Sequence, residues 1–185
     1  MNLQHINVKI FVEGELSVDP ERFIDVFHRW VAEQSMEEML IDVADYRHVP
    51  NGPGVLLVGY EADYCIDNAD NRTGLRYNCK SEIGGTNADR LSKAFFSAAN
   101  ACLQLEAEFD ALRFNRQELE ISINDRALAP NNDQSRSECE QYFSEFVNNV
   151  FQVSDFQLRF ESDARRLCGA VIRFSSPIDW PTPVS

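Results

Sequence analysis

The sequence lacks most of the patterns that identify a chemistry. It holds only three histidines and five cysteines (Cys65, Cys79, Cys102, Cys139 and Cys168), and no two cysteines stand in a C-x-x-C pair. A zinc knuckle or a thioredoxin-type redox motif is therefore not written here. No serine lies in G-x-S-x-G, and neither G-x-x-x-x-G-K-[ST] nor G-x-G-x-x-G occurs, so no cofactor is called for. No apolar run approaches the roughly 20 residues that span a bilayer. The opening residues lack a basic segment followed by a long apolar block, so a cleaved secretory signal is not expected and free thiols in a cytoplasmic protein are. Positive charge is scarce as well. Against 30 acidic residues stand 17 lysines and arginines, a formal charge of −13 over 185 residues. Nucleic acid and anionic membrane surfaces are thereby poor partners.

What is present is enough apolar material for a core, 44% of residues, arranged with two periods. Period-two alternation predicts strands over 5–12, 39–46, 55–67, 75–80, 112–114, 119–124, 156–161 and 168–174. The stretch 55–67 reads as one long strand, with Leu56, Val58 and Tyr60 on the face toward the helices. Asp67 to Gly74 should return it as a hairpin with Ile66 opposite Leu75, Tyr64 opposite Tyr77 and Glu61 opposite Lys80. Residues 50–54, with two prolines and two glycines, read as a turn. Apolar residues at helical spacing follow Asp19-Pro20 (Phe23, Val26, Phe27, Trp30), follow Thr86-Asn87 (Leu91, Phe95, Ala98, Cys102, Leu105), and lie between Cys139 and Val150. Ser135 with Glu138 predicts a capping box for the third helix.

This pattern predicts one α+β domain over 1–185: a mixed, mostly antiparallel sheet with helices packed on one face. Two related β-α-β-β halves, 1–110 and 111–174, with an extended tail at 175–185, would explain the similar runs Phe27-His28-Arg29-Trp30-Val31 and Phe143-Ser144-Glu145-Phe146-Val147. Any pair of amphipathic helices would offer the same aromatic spacing.

The richest polar segment is Asp42-Val43-Ala44-Asp45-Tyr46-Arg47-His48. His48 has the right chemistry for proton transfer near neutral pH, and Asp45 could orient it. Glu61 and Asp63 lie two apart on one strand face, close enough to complete an acid–base pair or hold a hard cation. Cross-strand pairing with Lys80 and Arg76 would explain the same two acids structurally, and no metal site is assigned. Tyr46, Tyr60 and Tyr64 are candidate ligand-binding aromatics. The 67–74 loop has calcium-loop composition with the wrong spacing.

At Phe27-His28-Arg29-Trp30, 42–50, 52–55, Glu61-Ala62-Asp63-Tyr64 and 124–130, the chain resembles an uncharacterised family of bacterial proteins. The resemblance runs over roughly residues 5 to 130 and implies a bacterial, cytoplasmic protein without supplying a reaction. Two functions follow as expectations. The first is a non-catalytic binding or interaction module for a protein partner or small ligand. The second is a small enzyme using Asp45, His48, Glu61 and Asp63. Convergence of these side chains in one concave pocket would favour the enzyme, and dispersal to separate exposed places would remove it. Self-association through an exposed sheet edge is a third expectation.

Overall fold

A computed structural model describes residues 1–49 and 52–180. Among these residues eight strands form one fully antiparallel sheet: β1 (Ile6–Val12), β2 (Leu40–Tyr46), β3 (Gly54–Gly59), β4 (Ala62–Asp67), β5 (Gly74–Cys79), β6 (Phe114–Ile123), β7 (Phe156–Phe160) and β8 (Cys168–Phe174). Their order across the sheet is β2-β3-β4-β5-β1-β6-β8-β7. Helices α1 (Glu21–Glu33), α2 (Asn87–Glu108) and α3 (Asp133–Phe151) cover one face, so the α+β architecture follows the alternation and the helical stripes.

The chain makes two related but unequal runs, β1-α1-β2-β3-β4-β5 and β6-α3-β7-β8, so the first is not the β-α-β-β unit expected. A strand is followed by a helix, and an antiparallel meander then returns to pair with that first strand. β1 and β6 are the two first strands, and they lie side by side at the middle of the sheet with Ile6 opposite Ile123 and Val8 opposite Ile121. Hydrophobic residues of both runs share one continuous core.

Local chemistry explains the helix ends. Asp19 Oδ1 accepts the Glu21 N–H at 3.0 Å, with Pro20 just ahead of α1. Thr86 and Asp89 form a reciprocal capping box at α2. Replacing Thr86 with alanine should cost about 1 kcal/mol, a fall of ~2–4 °C in Tm by calorimetry; no change would mean that the cap is redundant. At α3 the cap is Asn132, not Ser135, because the Asn132 carboxamide accepts the Ser135 N–H at 2.9 Å. Glu138 instead takes the N-terminal ammonium at 2.8 Å.

Two strand expectations change and a third holds. The stretch 55–67 is a hairpin whose two-residue loop is Tyr60-Glu61, with Val58 opposite Asp63. The loop reverses which residues face the helices. Val55 and Leu57 are buried in the core, whereas Leu56 and Val58 turn to the other face and Tyr60 is 65% exposed. Neither Tyr60 nor Glu61 has a positive φ, so the loop positions carry no Asn-Gly signal. The one local mark is the flanking Gly59, where a Cβ would lie 2.5 Å from the Ala62 carbonyl. Contacts from outside hold it: Glu38 accepts from the Ala62 N–H and the Tyr64 hydroxyl, and Lys80 Nζ donates to the Gly59 carbonyl at 2.7 Å. Second, 112–124 is not two short strands. It is the single ten-residue β6, but its pairing with β1 slips between Val12–Phe114 and Ile10–Leu119. The polar stretch 115–118 is therefore a bulge: Arg116 reaches Glu106 of α2 at 2.7 Å while Glu118 pairs with Arg72. Third, the β4–β5 register agrees with expectation, including Ile66–Leu75 and Tyr64–Tyr77.

Of the 50–54 turn, Pro50 and Asn51 lie outside the described residues, as do 181–185 of the tail. The described tail packs on its own fold: the Ile178 N–H donates to the Arg116 carbonyl, and Trp180 stacks on the Arg116 guanidinium and meets Phe95 edge-on. All five cysteines are buried and none forms a disulfide, though Cys168 Sγ donates to Cys139 Sγ at 4.0 Å. Among the described residues no helix is long and apolar enough to cross a membrane.

Candidate functional site

The four residues that suggested acid–base chemistry do not meet. Asp45 sits near the end of edge strand β2, opposite Val55, and grips Arg47 through Nε at 2.9 Å and Nη2 at 2.8 Å. The Arg47 guanidinium and backbone N–H hold its carboxyl down at about 2. The His48 ring lies against Tyr46 at 6.4 Å between centroids. Glu61 lies beyond the opposite end of β3, about 16 Å away at ~3.3 Å per residue, and pairs with Lys93 of α2 at 3.0 Å. Asp63 pairs with Lys80 at 2.7 Å, the cross-strand neutralisation that the sequence offered. Tyr46 and Tyr60 are exposed along the β2 edge together with Met39, Ile41 and Val49. Tyr64 is a core residue, edge-on to Tyr77, its hydroxyl donating to Glu38 at 2.7 Å and its pKa pushed up by burial. Among the described residues no three His, Cys, Asp or Glu side chains gather as metal ligands.

A different set of residues converges on the sheet face away from the helices. Alternation along β1 sends Ile6, Val8 and Ile10 into the core and Asn7, Lys9 and Phe11 the other way. All seven residues of β1 are nonetheless buried, because β5 and β6 flank it and two loops rise over it. One loop follows β4, running from Asp67 through a 3-10 turn at Ala69–Asn71 to Thr73. The other joins β7 to β8. Arg166 reaches across from the second loop to Asp70 in the first and also pairs with Glu161 at 3.1 Å. Between these walls lies a cavity of about 590 Å³, within the size range of small-molecule sites. A hollow of about 420 Å³ adjoins it on the far side of Phe11 and Arg72.

The cavity floor is built from a row across the sheet, from Arg76 to Arg159, which Cys65 extends beyond the cavity. Cys65, Arg76, Lys9, Glu120, Val171 and Arg159 are successive cross-strand neighbours on β4, β5, β1, β6, β8 and β7. Most charges there are committed to one another. Lys9 Nζ lies 2.5 Å from Asp67 Oδ2, and Arg76 Nη2 lies 3.1 Å from Asp67 Oδ1. Arg72 lies over the Phe11 ring at 3.6 Å and pairs with Glu118, which Arg173 also holds. Burial opposes ionisation of Glu118, but the two guanidiniums keep its carboxyl below the usual range. Burial pushes the Cys65 thiol up to about 11, so it is a packed neighbour of Arg76 rather than a nucleophile.

Four groups among the described residues have neither a hydrogen bond nor an ion pair, and Asp67 Oδ1 has the Arg76 ion pair but no hydrogen bond. Among the described residues no hydrogen bond or ion pair reaches the Glu120 carboxylate, the Arg159 guanidinium or the Ser122 hydroxyl, and Asn7 Oδ1 is buried without a partner. Burial raises the Glu120 carboxyl despite Lys9, Arg76 and Arg166 nearby. Of the four only Asn7 is buried, Glu120 and Ser122 being half-buried and Arg159 exposed. A buried polar atom left unpaired calls for an explanation, and for Asn7 Oδ1 a bound polar molecule is one.

No family model, curated protein or solved structure matches the chain. The resemblance of residues 5–130 to a bacterial family gains no support from this, and what the protein does must be read from the geometry of its site. That site was hidden in the sequence. The alternation placed Asn7, Lys9 and Phe11 on one face, but nothing local set Glu120 or Arg159 beside them. The one available signal was a lysine flanked by apolar neighbours at the centre of a strand, a position that demands a buried counter-charge.

Proposed function

We propose that the protein is a non-catalytic binding module that holds a small polar ligand in the open-face cavity between the 67–73 and 161–167 loops. The observation that carries this reading is the set of unpartnered polar groups, Asn7, Glu120, Ser122 and Arg159, turned into a cavity of ligand size. Among the described residues no hydrogen bond joins the cavity's Ser122 hydroxyl to a base, and the Asp45–His48–Glu61–Asp63 grouping that suggested catalysis is dispersed over both ends of β3. Acceptors, donors and one apolar wall at Phe11 suit recognition of a molecule rather than its conversion.

The reading is tested by filling the cavity. Val171 is half-buried on the open face between Glu120 and Arg159, and Val171→Phe would occupy the space while leaving the charged pairs in place. In a thermal-shift screen of small polar compounds, a compound at 100-fold its Kd should stabilise the native protein by about 2.7 kcal/mol, or ~5–10 °C. The same compound should leave Val171→Phe unmoved. Equal shifts in both proteins, or no shift from any compound, would overturn the reading.

A further inference from the structure

The uncommitted groups also say what kind of molecule the cavity would take, an inference that rests on the binding role proposed above. They are one acid, one base and two neutral polar groups. Glu120 and Arg159 stand in the same cross-strand row with only Val171 between them, so their strand positions are about 10 Å apart at ~4.8 Å per strand. They carry opposite charge and face one cavity, yet they do not bond each other. The other cations cannot serve Glu120 without leaving a partner of their own: Lys9 and Arg76 hold Asp67, and Arg166 holds Asp70 and Glu161. A purely anionic ligand would satisfy Arg159 and leave Glu120 facing a second negative charge. A purely cationic ligand would do the reverse at Arg159.

We infer that the cavity takes a small zwitterion, an α-amino acid or a dipeptide, with its ammonium group over Glu120 and its carboxylate on Arg159. The dimensions agree. The termini of one or two extended residues lie roughly 3–7 Å apart, and a charge-assisted hydrogen bond of about 2.8 Å at each end brackets the 10 Å between the two strands. Asn7 and Ser122, one row away on β1 and β6, meet the peptide or side-chain groups between the ends. Gly169 opposite Ser122 gives the floor its depth, since a Cβ there would lie 2.5 Å from the Ile121 carbonyl and 2.7 Å from the Ser122 Cβ.

The test uses the full chain and two defined probe sets, the twenty free α-amino acids and a dipeptide library, read by isothermal titration. At least one probe should bind, and its N-acetyl and C-amide forms should each bind at least tenfold more weakly. In Glu120→Gln the parent and N-acetyl forms should bind alike, and in Arg159→Gln the parent and C-amide forms should bind alike. Circular dichroism on both variants would establish that they are folded. If the blocked forms bind the native protein as tightly as the parent, the zwitterion is overturned while the cavity remains a binding site. If neither probe set binds but other polar compounds shift the native protein and not Val171→Phe, the ligand class is wrong and the binding role stands. If nothing binds by either method, both fall.

Discussion

Replacing Lys9 with methionine is expected to destabilise the protein by about 3–5 kcal/mol, the usual result of stripping a buried charge of its partner. Lys9 is 3% exposed and Asp67 1%, and the ammonium lies 2.5 Å from the carboxylate. Without it, Asp67 would keep only Arg76 at 3.1 Å, too poorly aligned for a hydrogen bond. That remaining partner places the expected loss toward the lower end of the range. The double variant Lys9→Met with Asp67→Leu should recover part of the loss, because removing both charges also removes the desolvation cost of burying them while Arg76, 31% exposed, loses its ion-pair partner. Urea unfolding of the native protein, the two single variants and the double variant gives the coupling energy directly. A loss below 1 kcal/mol in Lys9→Met would mean that the pair is solvated and does not anchor the 67–73 loop over the sheet.

The second large effect is expected at Phe95, whose truncation to alanine should cost about 3–5 kcal/mol. Phe95 is fully buried on α2 and packs edge-on against four rings: Phe96 at 5.5 Å, Phe146 at 5.9 Å, Phe151 at 4.8 Å and Trp180 at 6.3 Å. Phe146 and Phe151 belong to α3, and Trp180 to the tail, so one ring joins three segments that are distant in sequence. Because the four neighbours are fixed by contacts of their own, the space left by the ring would close only in part. Trp180 emission should also shift as water reaches that end of the core. Phe96→Ala, at a half-buried position, provides the comparison and should cost clearly less. Equal losses at the two sites would show that the cluster relaxes around Phe95.

Both predictions involve pairings between distant segments, and that marks how much of the protein was legible in its sequence. α1 and α2 were readable because a capping side chain and an apolar stripe act within one or two turns. The β4–β5 hairpin was readable for a similar reason: Asp67 to Gly74 closes locally, and alternation on each side then admits one register. The β3–β4 hairpin was not. Its Tyr60-Glu61 loop has no residue that turns the chain by its own preference, and Glu38, Lys80 and Met39 hold it from elsewhere. A missed two-residue turn then put Leu56 and Val58 on the wrong face. At α3 the Ser135–Glu138 pattern pointed to the wrong cap, because the helix starts earlier and Asn132 takes the Ser135 N–H.

The sequence by itself determined the two periodicities, and with them an α+β protein with one core and helices on one side. It also determined the acid excess, which still disfavours phosphate polymers as partners. Reading the acids where they lie in the fold separates them: Asp45 and Asp63 are tied to cations, Asp67 neutralises a buried lysine, and Glu120 faces a cavity without a partner. Only the tertiary structure decided this. Local pattern is written by backbone geometry over a few residues, whereas the cavity depends on β1 lying between β5 and β6. That placement joins residues 9, 76 and 120, and it follows from the packing of the whole sheet rather than from any one segment.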